Sequence, residues 1–95
     1  MRVKVLYLGL VRDKVGKREE EYQIKAGSTL LDLFEALAGT YGEGLNTMLK
    51  ANKESRLDPT FIATVNGTMR DPHRAKDVLL SDGDTVALMT LISGG

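Results

Sequence analysis

Ninety-five residues with 42% hydrophobic content make one small domain around a single core, with little apolar surface left to enclose a large catalytic cleft. The absence of cysteine excludes a disulfide framework, a thiolate metal site, a redox pair and a cysteine nucleophile, and a single histidine, His73, excludes a histidine-rich metal cluster. Charge is balanced at 13 basic against 13 acidic side chains, whereas a nucleic-acid binder carries a basic excess on at least one face.

Residues 1–27 hold 7 basic and 4 acidic side chains. Within them Arg12, Lys14, Lys17 and Arg18 cluster around a glycine and read as a solvated loop. No apolar run approaches the ~20 residues of a membrane span. The opening MRVKVLYLGLVRDK has a short apolar stretch broken by charge and no small-residue cleavage site. It reads as a strand and not as a signal peptide, and the expected location is cytoplasmic.

Arg2 to Leu8 alternates, with Val3, Val5 and Tyr7 on one face and Lys4, Leu6 and Leu8 on the other, which predicts a strand. Lys14-Val15-Gly16-Lys17 is a turn signal. Glu21 to Lys25 reads as a second strand with Tyr22 and Ile24 inward, so the two form an N-terminal β-hairpin. Thr29 stands three residues before Asp32, the pattern of a capping box. Behind it Leu30, Leu33, Phe34, Leu37, Ala38 and Tyr41 form one apolar face at the helical period. Gly39 and Gly42 lie near the end of that helix, in keeping with glycine at helix C-termini.

Leu45, Met48 and Leu49 suggest a further helical turn, and Lys50 to Pro59 reads as a loop. Phe61 to Val65 is a strand followed by the tight-turn dipeptide Asn66-Gly67. Thr68 to Leu80 reads as irregular, Ser81-Asp82-Gly83-Asp84 as a turn, and Thr85 to Ile92 as the last strand. One amphipathic helix covers one face of a sheet. The predicted fold is therefore α+β, a β-grasp with a mixed four- to five-stranded sheet on one main helix. Residues 1–92 form the domain and 93–95 a flexible Ser-Gly-Gly tail.

The sequence offers little catalytic chemistry. Asp82 and Asp84 could pair as acid and base or ligate a metal, but Asp and Gly are favoured there by the turn itself. Gly39-Thr40-Tyr41-Gly42-Glu43-Gly44 follows a helix instead of preceding one and lacks the lysine of a phosphate loop, so it reads as a helix terminus. Asn66-Gly67-Thr68 matches a glycosylation sequon, which the turn explains. His73 has no visible nucleophile as partner.

The last strand is apolar on both faces: Val86 and Leu88 alternate with Ala87, Met89 and Leu91. Leu6 and Leu8 repeat that excess on the first strand. Either both strands are central and covered by loops, or Leu6, Leu8, Met89 and Leu91 form a partner-binding patch. Gly94-Gly95 follows directly after this strand. A glycine pair has no side chains and can thread a narrow tunnel in another protein, presenting the Gly95 α-carboxylate to chemistry performed there. Joined to AMP, that carboxylate becomes an acyl-adenylate. A sulfur donor then gives a thiocarboxylate, and an amine gives an amide. Such a chain is a carried substrate and needs no catalytic group or metal of its own.

At these residues the sequence resembles the MoaD/ThiS family of ubiquitin-like β-grasp sulfur carriers. The resemblance rests on Val3-Lys4-Val5-Leu6, Thr29-Leu30-Leu31-Asp32-Leu33, Val65-Asn66-Gly67, Leu80-Ser81-Asp82-Gly83-Asp84-Thr85-Val86 and Ser93-Gly94-Gly95, in that order. It implies a non-catalytic carrier or the small subunit of molybdopterin synthase. Its partner would be a ubiquitin-activating-type adenylyltransferase that consumes ATP and magnesium, docked on the Leu6, Leu8, Met89 and Leu91 patch. The thiocarboxylate would supply sulfur to molybdopterin through the synthase large subunit, to a tRNA thiolase, or to thiamine. In archaeal relatives the same terminus is linked to target-protein lysines. Direct nucleic-acid or membrane binding is not implied. Many synthase small subunits carry a proline pair before the small residue and two glycines, and here Leu91-Ile92 stands there. Thiamine carriers are usually shorter, so the Lys50 to Pro59 loop favours the molybdopterin-like or modifier branch. The reading from another class is a non-covalent β-grasp interaction domain whose Gly-Gly end is incidental.

Overall fold

The alternation of Val3, Val5 and Tyr7 builds an inner strand of a five-stranded sheet in a computed structural model that describes residues 1–41 and 61–90, the side chains of Leu10, Phe61 and Thr90 excepted. Readings made on Gly42, on Leu45, Met48 and Leu49, on the Lys50 to Pro59 loop and on residues 91–95 lie outside the described residues. The strands are β1 (Arg2–Tyr7), β2 (Glu19–Gln23), β3 (Phe61–Val65), β4 (Thr68–Arg70) and β5 (Thr85–Thr90), in the order β2-β1-β5-β3-β4. The central pair β1 and β5 is parallel, and every other pair is antiparallel. This mixed sheet packed on one main helix is the β-grasp arrangement.

Val3, Val5 and Tyr7 of β1 and Val86 and Leu88 of β5 are fully buried on one face of the sheet. The helix α2 (Leu30–Tyr41) lays Leu30, Leu33, Phe34 and Leu37 into the same core. Burial of each such side chain stabilises by roughly 1.5–3 kcal/mol relative to exposure. The start of α2 is the predicted capping box. The Thr29 N–H donates to Asp32 Oδ2 at 2.8 Å, and the Asp32 N–H donates to Thr29 Oγ1 at 3.2 Å. Two of the helix's orphan donors are thereby satisfied reciprocally.

The link between β1 and β2 differs from the simple hairpin turn expected. A short helix, α1 (Gly9–Val15), stands there. Val11 is buried and Val15 packs against the core, one helical turn apart. Leu10, Val11 and Val15 are too few apolar positions for the period to stand out among Arg12, Asp13 and Lys14. The expected turn at Lys14-Val15-Gly16-Lys17 is the stop of this helix: Gly16 adopts φ 82°, and its N–H donates to the Arg12 carbonyl at 2.7 Å. The second strand accordingly runs Glu19–Gln23, two residues earlier than Glu21 to Lys25.

Gly39 lies in the last turn of α2, near its end as expected, and one further correction is local. Thr68 to Leu80 is ordered as β4 and a 3₁₀ segment, Pro72–Asp77. Asp71 caps that segment, accepting the His73 N–H at 2.9 Å. The tight turn at Asn66-Gly67 is as expected, with φ of 52° and 84° at its two central residues. Those paired left-handed angles define the turn whose twist matches an antiparallel hairpin.

Candidate functional site

The sheet has a second face, turned away from α2. Strand register decides which residues share it. Leu6 of β1 lies beside Ala87 of β5, Ala87 beside Thr64 of β3, and Thr64 beside Met69 of β4. The next row pairs Met89 with Ile62. Leu8, one residue past β1 and still extended (φ −126°, ψ 151°), continues the face of Leu6 by alternation. Leu6, Ile62, Ala87 and Met89 are half-buried, Leu8 is 40% exposed and Met69 is 68% exposed. The face is therefore an apolar band across four strands that no described element covers. Its border is charged: Lys4 Nζ meets Glu19 Oε2 at 3.2 Å.

Parallel pairing gives this face a direction. Because β1 and β5 run together, Leu8 and Thr90 come to the same end of the sheet. The Leu8 N–H donates to the Leu88 carbonyl at 3.0 Å, and α1 packs against both strands there. The opposite end holds a shallow depression of about 540 Å³ lined by Met1, Arg2, Lys4, Glu21, Gln23 and Asp82, among others.

On the core side, one carboxylate gathers the polar groups. Glu20 Oε2 accepts the Tyr7 hydroxyl at 2.5 Å and also the Tyr41 hydroxyl, while Lys17 Nζ donates to Glu20 Oε1 at 3.2 Å. The Tyr7 and Tyr41 rings meet edge to face, with centroids 6.2 Å apart. Burial, reinforced by the bond to Glu20, holds the Tyr7 hydroxyl protonated far above the ordinary tyrosine range. Desolvation works to raise Glu20, but the donors Tyr41, Tyr7 and Lys17 outweigh it and hold the carboxyl below its usual value. The result is an ionised acceptor with its protons held by others. It ties β1, β2 and the last turn of α2 together.

The sequence profile of the ThiS family matches residues 5–95. The chain belongs to the ThiS family. Among curated proteins, no sequence matches it. Its fold is similar to SAMP1 from Haloferax volcanii, with a TM-score of 0.78 and 18% identity over 100% of both chains. It is similar to a putative molybdopterin converting factor, subunit 1, from Pyrococcus furiosus, with a TM-score of 0.74 and 25% identity over 97% of this chain and 99% of that one. It is also similar to Urm1 from Trypanosoma brucei, with a TM-score of 0.76 and 21% identity over 99% and 95%. The family is that of the ubiquitin-like sulfur carriers and modifiers, whose members are small carrier proteins or subunits.

Of the residues the sequence singles out, the structure brings Leu6, Leu8 and Met89 to one face of the sheet. Leu91, Gly94 and Gly95 lie outside the described residues. Sequence reasoning missed Ile62, Thr64 and Met69, although Ile62 and Thr64 share a parity within Phe61–Val65 that could have marked them. The acidic turn is structural. Asp82 Oδ1 accepts the Arg2 N–H at 2.8 Å, Asp84 Oδ2 accepts the Ser81 N–H at 2.8 Å, and Asp84 Oδ1 accepts Asn66 Nδ2 at 2.9 Å. His73 Nδ1 lies 3.3 Å from Asp71 Oδ1, with both side chains largely exposed. Among the described residues, no group of three His, Asp or Glu side chains could hold a metal, and no helix is long and apolar enough to cross a membrane.

Proposed function

We propose that this ThiS-family chain is a sulfur carrier whose reacting group is the α-carboxylate of Gly95. The observation that carries this reading is the family match, which extends through Gly94-Gly95 to residue 95. A carboxylate oxygen attacks the α-phosphorus of magnesium-bound ATP in a ubiquitin-activating-type adenylyltransferase, and pyrophosphate leaves. A sulfur nucleophile then attacks the acyl carbon, and AMP leaves with the bonding pair. The product thiocarboxylate donates sulfur to molybdopterin, held by a synthase large subunit, or to a tRNA thiolase. Similarity to a molybdopterin converting factor subunit supports the former partner.

The chain contributes shape and position to this chemistry. Gly94 gives the tail a profile without a side chain. The band of Leu6, Leu8 and Met89 docks the activating enzyme, because it is an apolar face that no described element covers and it adjoins the end of β5. A second reading, conjugation of Gly95 to target lysines, is favoured by Leu91-Ile92 standing where synthase subunits carry a proline pair.

Intact mass after incubation with an activating enzyme, ATP and a sulfide source tests the proposal. A gain of roughly 16 Da replaces one carboxylate oxygen by sulfur. Gly94→Val abolishes the gain and leaves the melting temperature unchanged, since free termini contribute little stability. An unaltered mass for the unmodified chain sinks the carrier reading, and lysine-linked adducts in place of the gain select conjugation.

A further inference from the structure

We infer that the exposed cations beside α1, Arg12, Lys14 and Arg18, form an electrostatic docking surface for an acidic rim around the tail-accepting site of the activating enzyme. The inference rests on the carrier reading and adds how the partner is recognised.

The first support is local charge. Arg12, Lys14 and Arg18 are exposed, and among the described residues none of the three has an ion-pair partner. Nearby cations are committed elsewhere: Lys17 to Glu20 and Lys4 to Glu19, each at 3.2 Å. Asp13 is the one acid on α1.

The second support is position. Since α1 packs on β5 and the Leu8 N–H bonds the Leu88 carbonyl, the cations stand at the sheet end that Thr90 reaches. Five residues separate Thr90 from the Gly95 carboxylate, and five residues span at most roughly 18 Å. A nucleotide site inside another protein is reached over so short a tether only when this end of the sheet meets that protein's surface.

The third support is the charge of the reacting end. Leu91-Ile92-Ser93-Gly94-Gly95 carries no cation, and its carboxylate is repelled by the phosphates of ATP. Attraction towards the site must come from the body of the domain, and these cations are free charges of the described residues at the sheet end from which the tail leaves. An acidic protein rim fits them better than a nucleic acid. Glu19 and Glu21 lie on the adjoining strand, the chain has a net charge of zero, and the exposed Leu8 borders the cluster with an apolar contact.

The test is pyrophosphate exchange by a ubiquitin-activating-type adenylyltransferase from the same genome, with the full chain as substrate. The triple variant Arg12→Glu, Lys14→Glu, Arg18→Glu is expected to raise KM about tenfold at low salt, the scale of electrostatic steering. Its kcat stays within about twofold, because rim charges act on encounter and not on the bound state. The difference should shrink at 1 M salt, where the Debye length is about 3 Å. A triple Gln variant shows a smaller shift of the same sign and serves if the Glu variant melts early. Unchanged KM with an active unmodified chain overturns the inference and leaves the carrier reading standing. No exchange by the unmodified chain overturns both. Unchanged KM together with loss of retention on immobilised tRNA would assign the surface to RNA and also overturn the inference.

Discussion

The Tyr7 hydroxyl, on a fully buried side chain, reaches Glu20 Oε2 at 2.5 Å, and the same oxygen accepts the Tyr41 hydroxyl from the last turn of α2. The sheet and the helix are thus joined by a shared acceptor as well as by apolar packing. Tyr7→Phe removes a bond to a charged group but leaves Glu20 two donors, Tyr41 and Lys17. The expected loss is about 1.5–3 kcal/mol, read from urea denaturation. The same contact gives a pH dependence. Glu20 has a depressed folded-state pKa, so its contribution is complete above the unfolded value, near 4.5, and is lost as pH falls through the folded one. Glu20→Gln should flatten that acid limb of the stability curve, and an acid limb identical to the parent's would remove Glu20 from its cause.

Leu33, Phe34 and Leu37 belong to the same buried cluster as Val5 and Leu88. Leu33 is fully buried, so Leu33→Ala should lower stability by about 2–5 kcal/mol through lost burial and the cavity left behind. A loss under roughly 0.5 kcal/mol, the scale of surface changes, would mean that the site collapses without penalty.

Gly39 is exposed within α2, and an added Cβ would meet nothing within 4 Å. Its φ is not in the left-handed region, so alanine fits the existing backbone. Gly39→Ala should raise the unfolding free energy by about 0.4–1 kcal/mol, chiefly by restricting the unfolded chain. Thermal melting decides it, and a lowered Tm contradicts the helical role.

Met89 is half-buried beside Ile62, on the face that no described element covers. Met89→Asp should leave the far-UV circular dichroism intact and weaken binding to the activating enzyme by about tenfold or more, because an aspartate desolvated in an apolar contact loses hydration without gaining a partner. Calorimetric titration measures it. Equal affinity for a folded variant would reduce the face to overflow from the core.

Periodicity by itself determined α2, its Thr29–Asp32 cap, the inward faces of β1 and β5 and the Asn66-Gly67 turn, because each is dictated by neighbours within a few residues. It failed at α1, where seven residues with only Leu10, Val11 and Val15 apolar give no readable period. Motif order and the Gly94-Gly95 pair likewise made the ThiS family legible, since both are read directly along the chain. Only the tertiary structure decided which residues share the outer face. The parallel register of β1 with β5 joins positions about eighty residues apart, Leu6 with Ala87, and β3 and β4 add Ile62, Thr64 and Met69. The Glu20 cluster and the placing of the α1 cations beside the end of β5 arise in the same way. Both depend on long-range strand pairing, which is fixed by the packing of the whole core and by no local run of residues.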